Sequence, residues 1–204
     1  MIDRRTIMAG AVAMGAAGLL AESGRAQDVL GATKPVPPPA DAARIELRHA
    51  FSLSIFFDER IRIQSDTGRV FVPAVGGEIW GPRLQGRVIP YGGADYAGGH
   101  GLDASYMLEA SDGALIFINN HGYMKRLDGK KTPRAAPAPR RAEDVPNQSF
   151  VAPPDSAVPL RMRLMPVFDA PQGPHEWMNS TVFIGHGGRY TDPDHTVFTY
   201  YEVL

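Results

Sequence analysis

Apolar and polar residues alternate along most of the chain after residue 44, in short runs separated by turn residues. Ile45, Leu47 and His49 alternate with their neighbours, and the period of two continues through residues 51–55. This pattern predicts one long strand, bent near His49. Six more strands, most of them bounded by Gly, Pro, Asp or Asn, are predicted at residues 84–89, 102–110, 115–119, 160–167, 181–184 and 196–203.

The predicted fold class is all-β. No segment has the periodicity of an amphipathic helix of three turns, and regular short strands favour a closed barrel or a sandwich over a parallel α/β sheet. About eight strands close most simply as a small antiparallel β-barrel, whose interior is either filled by side chains or holds one small ligand.

A Pro- and Arg-rich stretch at residues 128–159 interrupts the strand pattern. It interleaves seven prolines with five basic residues, so it cannot be a core element, and we predict a long solvated surface loop. The functional alternatives are a lid over the barrel mouth and a basic patch that meets an anionic partner.

The N-terminal 26 residues have the pattern of a twin-arginine signal peptide. Arg4-Arg5 precede an uncharged run of small and apolar residues at 9–21, and small residues precede a candidate cleavage site after Ala26. The run is too short for a membrane anchor, so we predict a periplasmic protein without stable membrane insertion. A Pro-rich tether (27–43) would then lead into a single domain (44–204).

Composition narrows the function classes. Cleavage leaves 178 of the 204 residues and moves the net charge from −1 to −2, which predicts no general attraction to nucleic acid. The chain has no cysteine, which excludes disulfides and thiolate chemistry. The predicted partner is a small-molecule ligand or substrate, and a homodimer is compatible with the sequence.

Three glycine-rich passages stand out, at residues 76–86, 91–96 and 185–188. None has the spacing of a phosphate loop, and glycines at this density typically mark bulges and tight corners in β proteins. The histidines lack metal-ligand spacing, so no metal site is predicted, and no cofactor is predicted either.

Several of these motifs, in the same order, are typical of a known family. They are Gly77-Glu78-Ile79-Trp80-Gly81-Pro82-Arg83-Leu84-Gln85-Gly86, Gly92-Gly93-Ala94-Asp95-Tyr96, Leu102-Asp103-Ala104-Ser105-Tyr106, Ser111-Asp112-Gly113-Ala114-Leu115-Ile116, Trp177-Met178-Asn179 and Tyr200-Tyr201-Glu202-Val203-Leu204. Over residues 45–204 the chain resembles the bacterial family known as domain of unknown function 3237. The resemblance implies a small antiparallel barrel of roughly eight strands. It implies no activity, and the basic loop and the export signal depart from the family pattern.

Asp95 is the strongest catalytic candidate. It is a lone carboxylate after an apolar strand, and if it points into an apolar barrel, desolvation raises its pKa and makes it a usable general acid or base. The alternative is a turn aspartate that bonds its own backbone.

Four residues are candidates for substrate binding. Trp177 and Asn179 share a face if the chain is extended there, where they would stack on a planar ligand and bind its carbonyl; the alternative is a core tryptophan and a turn asparagine. Tyr106 points inward with Leu102 and the other even-numbered residues of its strand, which leaves Asp103 outside. Asn120 ends an apolar strand, where a barrel mouth places ligand contacts.

The leading hypothesis is a cofactor-independent acid–base enzyme of isomerase, lyase or cyclase type that acts on an apolar or aromatic carbonyl compound. A non-catalytic binding protein for a hydrophobic metabolite is the main alternative. A third hypothesis is a partner-binding protein that uses the basic loop.

Overall fold

The computed structural model describes residues 44–62, 69–97, 101–130 and 156–204, and Ile45–Leu204 form a compact unit. The predicted signal peptide and tether lie outside the described residues. The described strands are β1 (Leu47–Phe57), β2 (Ile61–Arg62), β3 (Val70–Trp80), β4 (Gly86–Ala97), β5 (Gly101–Ala110), β6 (Leu115–Arg126), β7 (Ala157–Asp169), β8 (Phe183–Thr191) and β9 (Asp194–Val203). A short 3-10 helix, Glu176–Ser180, lies between β7 and β8.

Eight of these strands form a closed antiparallel barrel. The order is β1-β9-β8-β7-β6-β5-β4-β3, and the pairing of β1 with β3 closes the ring. The short β2 pairs with the start of β3 as one extra strand. Closure satisfies the backbone groups that an open sheet would leave at its edges. The predicted all-β barrel of about eight strands is therefore confirmed.

The alternation in β5 illustrates how the sequence forms the barrel. Its even-numbered residues, from Leu102 to Ala110, are buried, and the residues between them are partly exposed. Along β1 the register shifts between His49 and Phe51, at the predicted bend. All the residues of β1 from Ala50 onward are buried.

The connections divide the barrel into two ends, because antiparallel neighbours place alternate connections together. The β3–β4, β5–β6 and β7–β8 connections lie at one end, which we call the helix end because it carries the 3-10 helix. The β4–β5, β6–β7 and β8–β9 connections lie at the other, which we call the polar end because Arg60, Arg189 and Asp194 lie there.

Aromatic side chains fill the interior towards the helix end. The Phe168 ring lies 5.8 Å from Phe51 and 4.9 Å from Phe183, between ring centroids. Trp177 in turn lies 5.6 Å from Phe183. These near edge-on and tilted contacts have the geometry that aromatic pairs prefer, and they give the domain much of its core.

The predicted loop at residues 128–159 falls mostly outside the described residues. The strands around it are longer than predicted, since β6 continues to Arg126 and β7 already begins at Ala157. Leu127 N donates to Pro159 O at 2.9 Å, which ties the two sides of the connection together at the polar end. In the described part of the chain, no helix has the length and apolar character needed to cross a membrane.

Candidate active site

Asp95 lies within a strand and not in a turn. On β4 it is paired with Val72 of β3 and with Ala104 of β5. The turn-aspartate alternative is therefore wrong. Ala104 points into the barrel and is fully buried, and directly opposed residues share a face of the sheet, so Asp95 also points inward.

An irregularity in β4 is what turns Asp95 inward. Val88 opposes Leu108 and Gly93 opposes Tyr106, so five residues of β4 span the same distance as two residues of β5. The irregular segment contains Tyr91, whose φ is +56°. Because side chains alternate with a period of two, this odd step transfers the inward face of β4 from even-numbered to odd-numbered residues. A regular strand would point Asp95 outward.

Gly93 is required at the end of this irregularity. A Cβ atom there would collide with the backbone carbonyl oxygen of Ser105. The predicted role of these glycines, at bulges and close approaches, fits this position.

The Tyr106 hydroxyl donates a hydrogen bond to Asp95 Oδ1. Tyr106 is completely buried and points inward, as its strand alternation predicts, and Asp103 lies outside with 47% of its side chain exposed. Asp95 itself is partly buried and retains some solvent-accessible surface. The structure thus brings together two predicted site residues as a bonded carboxyl and phenol.

Burial controls the protonation of this pair. Desolvation raises the pKa of Asp95 from its ordinary 3.8 to about 6, against the opposing effects of the Tyr106 hydrogen bond and of Arg189 and Arg60. Desolvation and the nearby Asp95 raise the pKa of Tyr106 well above its usual value, so this phenol stays protonated at neutral pH. The pair therefore contains one group that gains and loses a proton near neutrality.

Two polar side chains complete the neutral part of the site. Asn120 is opposite Ala104, so Asp95, Ala104 and Asn120 form a row across three strands, with only a methyl group between the polar members. Two strand spacings separate the outer members by about 10 Å. Asn120 is completely buried, and among the described residues neither its Nδ2 nor its Oδ1 has a hydrogen-bond partner.

The Tyr200 hydroxyl is the second such group. Tyr200 is completely buried, and its hydroxyl has no partner within the described ranges. Burial and the charge of Asp95 both raise the pKa of Tyr200 well above its usual value, so it too remains protonated. Unpartnered buried polar groups are costly, and they are typically kept where they bind something.

Charged residues lie next to this site, towards the polar end. The buried Asp194 carboxylate forms ion pairs with two guanidinium groups, those of Arg60 at 2.8 Å and of the buried Arg189. The Arg189 guanidinium carbon also lies 5.2 Å from the centroid of the Phe57 ring. Sequence reasoning missed Arg60, Arg189 and Asp194, because nothing in their local sequence distinguishes them from surface charges.

Trp177 and Asn179 do not belong to this site. They lie in the 3-10 helix and not in an extended segment, so the predicted shared face is wrong. Asn179 bonds the backbone of Ala170 through both its side-chain oxygen and its nitrogen, each at 2.8 Å. Trp177 packs under Arg83, whose guanidinium carbon lies 4.0 Å from the centroid of the Trp177 ring.

The barrel length separates that cluster from Asp95. On β5, Ala110 at the helix end lies six residue steps from Ala104 in the Asp95 row, which corresponds to about 20 Å. Trp177 lies half-buried against the core, and Asn179 lies in the 3-10 helix, where it bonds the Ala170 backbone. Of the predicted substrate-binding residues, only Tyr106 and Asn120 share the interior with Asp95.

A separate surface cavity of about 460 Å³ opens at the helix end. It is lined by residues 78–81, Gln85, Gly86 and Ser111, so the first glycine-rich motif forms most of its wall. Glu78 is its one titratable lining residue, and no second acid or base accompanies it. Among the described residues, no group of three or more His, Asp or Glu side chains converges to hold a metal ion.

These features define a class of protein: a small closed antiparallel barrel that carries a tyrosine-bonded carboxyl group in its interior. The chain belongs to the family described as "Protein of unknown function (DUF3237)", whose model matches residues 45–203. The resemblance read from the motifs is thus confirmed.

Relatives and solved structures agree with this assignment. A UPF0311 protein of Clostridium acetobutylicum is 27% identical over 161 residues, which cover 75% of this chain and 90% of the relative. A protein with unknown function from Clostridium acetobutylicum has a similar structure, with a TM-score of 0.62 at 24% identity over 80% of this chain and 100% of the other. A β-barrel like protein from Acinetobacter baumannii AYE has a TM-score of 0.58 at 23% identity, over 84% of this chain and 100% of the other. At these identities the structures show a shared fold.

Proposed function

We propose that this protein is an exported, cofactor-independent acid–base enzyme of isomerase, lyase or cyclase type that acts on an apolar or aromatic carbonyl compound. One observation carries the proposal: the inward carboxyl group of Asp95 is bonded to Tyr106 inside a barrel that also presents unpartnered hydrogen-bonding groups. A buried carboxyl group whose pKa is raised towards neutrality, bonded to a phenol that stays protonated, is typical of acid–base sites.

Asp95 is the group that transfers the proton. With a pKa of about 6 it is ionised in about nine molecules of ten at pH 7, yet it is a stronger base than a solvated carboxylate. The Tyr106 hydrogen bond occupies Oδ1, and Oδ2 is the oxygen that accepts a proton from the carbon next to the substrate carbonyl. The same proton then returns to another carbon of the enolate. Alternatively, the bond to a leaving group on the next carbon breaks as the new carbon–carbon double bond forms, and the leaving group takes the bonding electrons and the proton from Asp95.

Negative charge that develops on the carbonyl oxygen needs hydrogen-bond donors. Asn120 Nδ2 and the Tyr200 hydroxyl are donors without partners in the described interior, and both are fixed by complete burial. Fixed donors in a water-poor site stabilise such charge more effectively than water does. Trp177 and Asn179 have no part in this mechanism because they lie at the helix end.

The test is a screen of enolisable carbonyl compounds with the wild type and the Asp95→Asn variant. We expect wild-type turnover to fall by at least about a hundredfold in Asp95→Asn, the usual contribution of a positioned proton-transfer group. Asp103→Asn, which removes an exposed carboxylate from the neighbouring strand, is the matched control and keeps full activity. Unchanged turnover in Asp95→Asn would refute the mechanism.

A binding protein for a hydrophobic metabolite is the outcome that the same experiment separates from catalysis. The unpartnered Asn120 amide and Tyr200 hydroxyl serve a bound ligand equally well without any reaction. A compound that binds tightly but is recovered unaltered after long incubation, in both variants, would support this alternative.

Export is tested through the arginine pair of the signal sequence. We expect Arg4→Lys with Arg5→Lys to keep the uncleaved precursor in the cytoplasm, because the paired arginines are the recognised feature. Cell fractionation and the mass of the mature N-terminus measure this. Normal secretion of the double variant would contradict the twin-arginine route.

A further inference from the structure

The charged residues beside Asp95 carry information on the substrate. Asp194 is 2% exposed and is held between Arg60 and Arg189, so one carboxylate accompanies two guanidinium groups. Neither arginine forms an ion pair with Asp95, although both act on its carboxylate electrostatically. The two cations are therefore near Asp95 but remain separated from it.

The charge count of this group depends on Asp95 alone. The pKa of His195 is lowered by burial and by Arg189, so its ring is neutral at pH 7. Tyr106 and Tyr200 stay protonated. Arg60, Arg189, Asp194 and Asp95 together thus have no net charge when Asp95 is ionised, and one surplus positive charge when Asp95 is protonated.

When Asp95 is protonated, the surplus positive charge of the two guanidinium groups attracts an anion. Guanidinium groups bind carboxylates through paired, charge-assisted hydrogen bonds. The Arg60 side chain is 31% exposed, so part of its hydrogen-bonding surface can be reached from outside. Arg189 is fixed behind it by its contacts with Asp194, Thr196 and Phe57.

We propose that the substrate is a carbonyl compound that bears one carboxylate, and that Arg60 and Arg189 bind this carboxylate while Asp95 faces the reacting carbon. This inference rests on the proposed function for the role of Asp95, but not for the anion site itself.

The experiment compares matched acids and primary amides by calorimetry at pH 7. The probes are phenylacetate, 3-phenylpropanoate and benzoylformate with their amides. We expect each acid to bind at least about tenfold more tightly than its amide, a preference worth about 1.4 kcal/mol. Raising the salt concentration weakens the binding of the acids and leaves that of the amides unchanged.

Variants identify the residues. Arg60→Gln removes the preference, and Arg60→Lys, which keeps the charge, retains most of it. Arg62→Gln is the control, because Arg62 is an exposed arginine two positions away on β2. Near-ultraviolet circular dichroism checks that each variant remains folded.

Asp95→Asn separates this inference from the catalytic proposal. The variant binds the acids as tightly as the wild type or more tightly, since a neighbouring negative charge is removed. Equal binding of acids and amides at millimolar concentrations, or equal losses in Arg60→Gln and Arg62→Gln, would overturn the anion site. Asp95-dependent turnover of a neutral carbonyl compound would then leave the catalytic proposal standing. Acid-selective binding with unchanged turnover in Asp95→Asn would support the anion site and refute the catalytic proposal.

Discussion

Replacing Asp95 by Asn should stabilise the protein at alkaline pH while it removes the proposed proton acceptor. The ionised carboxylate of Asp95 is less well solvated in the barrel than in the unfolded chain, which is why burial raises its pKa to about 6. Asn has the same shape and still offers an oxygen to the Tyr106 hydroxyl. The variant therefore keeps the hydrogen bond and loses the charge.

The magnitude follows from the pKa change between the unfolded and folded chain. The rise from 3.8 to about 6 corresponds to about 3 kcal/mol of free energy of unfolding, at about 1.4 kcal/mol per pH unit. Because the folded-state pKa is raised, the wild type has its full stability below pH 3.8 and loses this contribution as the pH rises through 6. We expect Asp95→Asn to be more stable by up to about 3 kcal/mol at pH 8, and nearly equal at pH 4.

Urea denaturation followed by tryptophan fluorescence measures the difference at both pH values. The difference between the free energies of unfolding of the wild type and the variant contains no contribution from the other carboxylates. One of these is Asp128, whose pKa is lowered to about 2 by Arg126. Asp103→Asn, at an exposed position, should give no gain. Equal or lower stability of Asp95→Asn at pH 8 would show that the carboxylate is well solvated, and the reasoning on the site would fail with it.

Three further substitutions test separate parts of the structure. Tyr106→Phe removes a hydrogen bond that lowers the pKa of Asp95, so the acid limb of the pH–rate profile should move to higher pH. Trp177→Leu should leave ligand binding and turnover unchanged but lower the free energy of unfolding by about 1–3 kcal/mol, because it removes aromatic and cation–π contacts at the helix end. Gly93→Ala should destabilise the fold by at least about 1–3 kcal/mol, since its methyl group collides with backbone, whereas Gly101→Ala should be nearly neutral.

Each of these three predictions would be contradicted by a specific result. An unchanged acid limb would mean that the phenol does not interact with the carboxylate in solution. Loss of binding in the tryptophan variant would place a ligand at the helix end. Equal thermal midpoints for the two glycine variants would show that the irregular segment of β4 is not fixed by the missing side chain.

Alternation was sufficient to predict the barrel, but not its irregular strands. β5 alternates without interruption, and its predicted range, 102–110, nearly equals the observed Gly101–Ala110. β3 was missed, because Pro73, Gly76 and Gly77 interrupt its pattern at a register shift. A period of two can be detected in a sequence only where the strand is regular.

The same physics explains which site residues could be predicted. Tyr106 lies on a regular strand, so its inward direction could be predicted from the alternation of inward and outward side chains. The direction of Asp95 depends on the number of residues in a bulge, which local sequence does not specify. Trp177 and Asn179 lie in a helix of five residues, too short to show any periodicity. Arg189 and Asp194 meet in the β8–β9 hairpin, and Arg60 joins them only through the pairing of β1 with the distant strand β9.

The two ends of the barrel have separate tasks. Aromatic packing around Phe168 and the ion pairs of the buried Glu202 with Arg48 and Arg83 stabilise one end, while Asp95 and the ion pairs of Asp194 with Arg60 and Arg189 lie at the other. An engineer who wished to alter the proposed site would therefore begin at the exposed side of Arg60, far from the aromatic packing that holds the opposite end together.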